Sequence, residues 1–184
     1  MTADGLPTAR TVWIRQIYHS RALLLTTDSR TAKTTQLTPP ATAASLCHYL
    51  PLAKEQYRLL CHPTLVTHST TYQPLVELRR TVWQQSPEWL QQSFGCAAPG
   101  RPVGSEGSVG SVGEEQAVGS VSEWFVVVLL WPVRCDYLRL PVTVIDNSKP
   151  LHRESRLKPQ KEQQRWLHTR DANTALWTIT ELNP

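Results

Sequence analysis

The tripeptide Leu-Cys-His occurs twice in SLCHYLPLAKEQYRLLCHP, residues 45–63. Four side chains there could ligate zinc or pair a thiol nucleophile with a base: Cys47, His48, Cys61 and His62. Apolar residues recur between them at steps of three and four, so we predict an amphipathic helix over 41–60. On a continuous helix the two thiols would lie ~21 Å apart, too far to share one ion. Buried, unreactive cysteines are the favoured interpretation, with zinc binding and a Cys-His nucleophile as alternatives.

Two charged residues fall in line with the apolar faces of predicted strands. In PLVELRRTVW, residues 74–83, alternation places Arg80 with the apolar side chains. In TALWTITEL, alternation places Glu181 with Trp177 and Ile179. Because an unpaired buried charge is costly, each is either a strand-end or ion-paired charge, or part of an enclosed site. In such a site the guanidinium would bind a carboxylate and the glutamate would move a proton.

The elements that must position these residues indicate an α+β fold, with a single mainly antiparallel sheet of about six strands and a few flanking helices. Alternating and β-rich segments predict strands at 11–18, 21–27, 75–83, 124–133, 137–145 and 174–182. Besides 41–60, helices are predicted at 87–94 and 160–168. For 87–94, Ser86 is the predicted N-cap, Pro87 the first helical residue and Gly95 the stop.

The 184 residues, 40% of them hydrophobic, predict a single domain over 1–184. Six of the eight glycines lie from Gly100 to Gly119, so residues 99–122 are predicted to form a flexible low-complexity Gly/Ser/Val insert. Outside it, glycine is too scarce for a GxGxxG or GxxxxGK loop. No apolar run reaches the ~18 residues of a membrane span and no hydrophobic signal core begins the chain, so we expect a cytoplasmic protein with free thiols and no membrane partner.

Four short blocks resemble the chorismate lyases, enzymes that eliminate pyruvate from chorismate to give 4-hydroxybenzoate. The blocks are ALLLTTDSRT (22–31), LRRTVW (78–83), EWFVVVLLWPV (123–133) with KPLHRE (149–154), and ALWTITELNP (175–184). The resemblance implies that Arg80 and Glu181 are catalytic and that Arg80, Arg30 and Leu151 bind the substrate. It also implies a chorismate lyase-like fold with the insert in a hairpin connection, a monomer without metal or cofactor, and a product destined for ubiquinone or plastoquinone.

The sequence departs from the chorismate lyase pattern at Val128, where a second arginine is expected, and at His152, which replaces a glycine. These departures favour an alternative, a non-catalytic module of the same fold that binds small aromatic carboxylates. A basic stretch from Lys149 to Arg170 with Trp166 raises a third hypothesis, nucleic-acid binding. Its mixed charges at helical spacing are more typical of a solvated face, and the net charge of +4 suits a small anion equally well.

Overall fold

The computed structural model describes residues 6–38, 43–100, 120–141, 143–145, 157–159 and 163–183. Its strands are β1 (Ile14–Tyr18), β2 (Ala22–Asp28), β3 (Ala44–Leu50), β4 (Glu55–Val66), β5 (Phe125–Arg139), β6 (Thr143–Ile145), β7 (Leu157–Pro159), β8 (Gln164–Arg170) and β9 (Trp177–Leu182). Its helices are α1 (Ala32–Leu37), α2 (Gln73–Gln84) and α3 (Glu88–Ser93). Residues 101–119, most of the predicted insert, lie outside the described residues, so both its flexibility and the single-domain assignment stay predictions.

Strand pairing gives a mainly antiparallel sheet, which confirms the predicted α+β class. Seven strands share it, in the order β1-β2-β5-β4-β3, with β8 beside β5 and β9 beside β8, while β6 and β7 pair separately. Pairing between β1 and β2, β2 and β5, β3 and β4, β5 and β8, and β8 and β9 is antiparallel. The chain divides into two compact units: unit 1 is Met1–Ala43 with Pro63–Trp131, and unit 2 is Ala44–His62 with Pro132–Pro184.

The core of unit 1 forms where β2 pairs with the first half of β5. Inward-facing residues of these strands are fully or almost fully buried: Ala22, Leu24, Phe125, Val127 and Leu129. Trp83 of α2 and Phe94 after α3 pack on Phe125, with ring centroids 5.0 and 5.3 Å from its ring. Each buried side chain of this size stabilises the fold by roughly 1.5–3 kcal/mol, so these contacts fix α2 and α3 to the sheet.

Residues 75–83 form a helix, and the predicted strand there is wrong. The buried residues of α2 are Arg79, Val82 and Trp83, a helical spacing, and a proline lies in the first turn. Leu75, Leu78 and Val82 follow steps of three and four, which fit a helix. The alternation from which a strand was predicted fits the same segment equally well. Arg80 therefore points outward, with a 54% exposed side chain ion-paired to Glu77 at 3.2 Å. The premise that Arg80 lies on an apolar strand face does not hold.

The helix predicted over 41–60 is also wrong, because the described residues 43–60 form two strands and a turn. In unit 2, β3 and β4 pair as a hairpin, with Cys47 opposite Arg58 and Ala44 opposite Cys61. Pro51 is incompatible with a helix interior and disfavours helical backbone at the preceding residue, so the chain turns there instead. All four cysteines are free. Cys61 is buried, and burial raises the pKa of its thiol to about 11, whereas Cys47 is exposed, so the buried interpretation holds only for Cys61.

The remaining elements agree with the predictions in part. Strands over 11–18, 21–27 and 174–182 and the helix over 87–94 are confirmed within a few residues. The two strands predicted at 124–133 and 137–145 are largely one continuous strand, β5. The helix predicted at 160–168 is wrong for the described part of that range, because residues from Gln164 onward form β8. No helix in the described part of the chain is long and apolar enough to cross a membrane.

Candidate functional site

The residues that the chorismate lyase resemblance selected are spread over the chain. Arg80 lies in α2 of unit 1, and Glu181 is an exposed residue of β9 in unit 2, opposite Trp166. Leu151 lies outside the described residues, as does His152. Val128 is fully buried in β5, so an arginine there would be a buried charge. Arg30 is the member of the set that enters a dense polar network.

Arg30 joins the end of β2 to the residues after α3. Its Nε lies 3.0 Å from Asp28 Oδ1 and its Nη2 lies 2.6 Å from Asp28 Oδ2, a bidentate ion pair. Its Nη1 donates to the carbonyl oxygen of Cys96 at 2.9 Å, and its Nη2 approaches that of Phe94 at 3.4 Å. The hydrogen bond to Asp28, opposed by partial burial, raises the pKa of Arg30. Because the guanidinium nitrogens of Arg30 are already hydrogen-bonded to Asp28 and to two backbone carbonyl oxygens, Arg30 has a structural role here.

The turn between β2 and α1 is held by its own hydroxyl groups. Thr31 Oγ1 donates to the carbonyl oxygen of Asp28 at 2.7 Å, and Thr34 Oγ1 donates to that of Ser29 at 2.7 Å. The backbone N–H of Arg30 donates to Asp28 Oδ1 at 2.7 Å. Short polar residues that bond nearby backbone groups favour such turns. The sequence TTDSRT therefore fixes the position from which α1 starts.

A second group of polar side chains, which we call the cationic cluster, surrounds this turn: Arg10, Thr27, Thr31 and Lys33. Lys33 Nζ donates to Thr27 Oγ1 at 2.9 Å, and the two threonine hydroxyl oxygens lie 3.4 Å apart. Arg10 Nη2 donates to Thr8 Oγ1 at 2.7 Å and also to Gln36 of α1. The Lys33 contact places an ammonium and two hydroxyl groups at the end of β2, and Arg10, bound to Gln36 of α1, lies near enough to act electrostatically on Lys33.

The electrostatics of the cationic cluster favour an anion. Burial lowers the pKa of Lys33, and the nearby positive charge of Arg10 lowers it further, opposed by Asp28. Among the described residues, neither Lys33 nor Arg10 lies within 4 Å of a carboxylate oxygen. A phosphate placed between them would offset the repulsion and accept hydrogen bonds from ammonium, guanidinium and hydroxyl groups. The sequence prediction missed Arg10 and Lys33, although TTDSRTAK places cations and hydroxyls directly after a buried strand.

Comparison with known proteins gives one consistent picture. A family model described as the FMN-binding domain of pyridoxamine 5′-phosphate oxidase matches residues 1–67. Pyridoxine/pyridoxamine 5′-phosphate oxidase 2 of Arabidopsis thaliana is 28% identical over 138 residues, 74% of this chain and 69% of that protein. A pyridoxamine 5′-phosphate oxidase-related, FMN-binding protein of Nostoc punctiforme PCC 73102 superposes with a TM-score of 0.76 at 27% identity. That match covers 99% of this chain and 84% of the Nostoc chain, so the two share a fold.

These matches overturn the resemblance to chorismate lyases. The fold is that of the Nostoc protein and is not chorismate lyase-like, and the lyase activity, chorismate as partner and a role in quinone synthesis are wrong. The aromatic-carboxylate module and the nucleic-acid hypothesis also find no support in the matches. The roles given to Arg80, Glu181, Arg30 and Leu151, the cofactor-free reaction and the monomer came with that resemblance, and none is carried forward. ALLLTTDSRT is instead part of the segment that the FMN-binding model matches.

Unit 2 carries a separate charged cluster on its sheet. Asp136 of β5 accepts from Arg165 of β8 at 2.9 and 2.7 Å, and Arg58 of β4 lies 3.9 Å away. Arg165, part of the basic stretch considered for nucleic-acid binding, is thus engaged in an ion pair. Within the described residues, no group of three or more His, Cys, Asp or Glu side chains could hold a metal ion. The cluster is therefore best understood as a cross-strand support.

The Asp136 cluster predicts a dependence of stability on pH. The hydrogen bond from Arg165 lowers the pKa of Asp136 below its ordinary 3.8, against an opposing effect of burial. A carboxyl group with a lowered folded pKa contributes stability above its unfolded pKa and loses it as pH falls through the folded pKa. Chemical unfolding of the wild type and Asp136→Asn should show a constant stability difference above about pH 5 that shrinks below about pH 4. A difference that is unchanged at about pH 3 would contradict the assignment.

Proposed function

We propose that this chain binds FMN through the cationic cluster and acts as an FMN-dependent oxidoreductase related to the pyridoxamine 5′-phosphate oxidases. The observation that carries the proposal is the partly buried Lys33 beside Arg10, without a carboxylate partner in the described part of the chain. The FMN-binding model spans residues 1–67, which include all four residues of the cluster. The Arabidopsis relative is named a pyridoxine/pyridoxamine 5′-phosphate oxidase and the Nostoc protein is described as FMN-binding, and both descriptions support the same cofactor and reaction class.

The cluster fits the phosphate end of FMN. A phosphate monoester carries close to two negative charges near pH 7 and three acceptor oxygens. Lys33 and Arg10 would offset that charge, while the hydroxyl group of Thr27, which accepts a hydrogen bond from Lys33, would donate its own proton to the phosphate. The turn bonds from Thr31 and Thr34 keep these groups in place, so little ordering would accompany binding. When bound, FMN supplies two-electron oxidation.

Removal of the Lys33 ammonium tests the proposed site. Lys33→Ala should weaken FMN binding about 10- to 100-fold, because a hydrogen bond to a charged group contributes about 1.5–3 kcal/mol. Riboflavin, which lacks the phosphate, should bind the wild type and Lys33→Ala equally. Quenching of flavin fluorescence on titration measures both affinities, and Arg80→Ala, at an exposed site in the same unit, is the matched control. Equal loss of riboflavin and FMN binding, or no loss of either, would refute the phosphate assignment.

The substrate is tested separately from the cofactor. With FMN added, pyridoxine 5′-phosphate and dioxygen should give pyridoxal 5′-phosphate and hydrogen peroxide, while pyridoxamine 5′-phosphate, dioxygen and water should give the same two products together with ammonia. Both products can be measured together, pyridoxal 5′-phosphate by its absorbance and peroxide by a coupled peroxidase. FMN binding without turnover of either ester would keep the cofactor proposal and exclude these two substrates. The cytoplasmic location stays a prediction from the sequence.

A further inference from the structure

A cleft of about 430 Å³ opens at the other end of β2 from the cationic cluster. It is lined by Tyr18, His19, Arg21 and Trp131, all of which belong to unit 1. Its volume falls within the range of small-molecule sites. The six residue steps from Ala22 to Asp28 span ~20 Å along the strand, so this cleft is distinct from the place proposed for the FMN phosphate.

The aromatic walls of the cleft are held in fixed orientations. Trp131 Nε1 donates to Thr64 Oγ1 at 3.1 Å, which sets the indole plane. The ring of Tyr18 meets that indole edge-on, with centroids 6.3 Å apart. The imidazole of His19 in turn packs edge-on against Tyr18 at 4.1 Å. Preoriented aromatic faces of this kind stack planar rings without first losing side-chain freedom.

The turn that closes the cleft has a strained backbone. His19 and Ser20 both have positive φ, 48° and 55°, and the N–H of Arg21 bonds the carbonyl oxygen of Tyr18 at 3.0 Å. Two-residue hairpin turns with this backbone strongly favour Asn-Gly, because other residues are strained there. Strained backbone in a short hairpin is typical of functional sites. Here it places the imidazole of His19 and the nearby guanidinium of Arg21 at the cleft.

Arg21 supplies an anion-binding group at the rim. Its side chain is exposed, and in the part of the chain that the structure describes its guanidinium has no ion pair and no side-chain hydrogen bond. A free guanidinium matches the geometry of phosphate oxygens through two parallel hydrogen bonds. We infer that this cleft is a second small-molecule site, which binds a planar heteroaromatic ring on Tyr18 and Trp131 and its phosphate group on Arg21.

The test titrates two probes, AMP and GMP, neither of which is a proposed substrate of the FMN-loaded protein, into the full chain by isothermal titration calorimetry. To separate this cleft from the cationic cluster, each probe is titrated into the protein saturated with FMN and into Lys33→Ala. We expect one site in both cases, weakened at least tenfold in Arg21→Gln and unchanged in the control Arg80→Gln. Ribose 5-phosphate and adenosine, which carry only the phosphate or only the ring, should each bind more weakly than AMP.

Three outcomes would overturn the inference: no binding of either probe, equal affinity in Arg21→Gln, or loss of probe binding in Lys33→Ala. The titration of Lys33→Ala needs no bound FMN, so it stays informative even if the protein does not bind FMN. Failure of the FMN proposal can therefore be distinguished from failure of the proposal for this cleft. Trp131→Phe keeps a ring at that wall but removes the hydrogen bond to Thr64. It should lower the affinity for AMP more than the affinity for ribose 5-phosphate, which a purely electrostatic site would not show.

Discussion

Replacing Arg79 with alanine should lower the free energy of unfolding by about 3 kcal/mol, whereas the same change at Arg80 should alter it by no more than about 0.5 kcal/mol. Arg79 is 8% exposed and its guanidinium donates to two backbone carbonyl oxygens, those of Phe125 at 2.8 Å and of Ser122. Phe125 is the first residue of β5, and Ser122 lies three residues before it. Each buried acceptor left without a donor costs about 1–3 kcal/mol, and the truncated side chain also leaves a cavity.

Urea unfolding of the wild type, Arg79→Ala and Arg80→Ala, followed by tryptophan fluorescence, measures the difference. Burial lowers the pKa of Arg79. Among the described residues, its charge is stabilised by backbone carbonyl groups and by no carboxylate. Arg79→Lys keeps the charge but lacks the planar fork that reaches two carbonyls, so it should recover only part of the loss. Equal stability of the Arg79→Ala and Arg80→Ala proteins would show that the two carbonyls find other donors.

This neighbouring pair of arginines shows how far the sequence predicts the structure. Alternation and helical spacing both fit residues 74–83, and the choice between them decides which arginine is buried. As a strand, the segment buries Arg80; as the helix observed, it buries Arg79. The apolar pattern alone could not decide, because packing on Phe125 selects the helix face. Pro74, in the first turn of α2, was the local signal that favoured a helix.

The candidate site was less predictable than the fold. Strands β1 and β2 follow from apolar and β-branched residues, and these predictions are confirmed. The cationic cluster, in contrast, combines Arg10, which precedes β1, with Lys33 of α1, and their proximity depends on hydrogen bonds across 26 residues of chain, such as that from Arg10 to Gln36. The periodicity of apolar residues in the sequence does not predict a contact between residues so far apart in the chain. Short blocks such as LRRTVW match unrelated families by chance, and that is why the chorismate lyase resemblance failed.

The second large effect is expected at Arg30, whose removal should lower the free energy of unfolding by about 3 kcal/mol and weaken FMN binding. Asp28 is 8% exposed and would lose its bidentate partner. Removing one partner of a buried ion pair costs about 3–5 kcal/mol. We expect a value at the lower end of this range, because the pair of Asp28 and Arg30 is not completely buried. The carbonyl oxygens of Phe94 and Cys96 would also lose a donor, which loosens the segment after α3.

A double-mutant cycle separates the unpaired charge from the lost contacts. Asp28→Asn keeps an oxygen that can accept from the N–H of residue 30, so the turn backbone is retained. Asp28→Asn with Arg30→Ala should therefore be more stable than Arg30→Ala alone, by at least about 1 kcal/mol, because no uncompensated carboxylate remains. Since Thr31 and Lys33 follow directly in the chain, the double variant should also regain part of the FMN affinity. Additive losses in the cycle would mean that Asp28 and Arg30 act independently, and the ion pair would then not be what orders the turn beneath the cationic cluster.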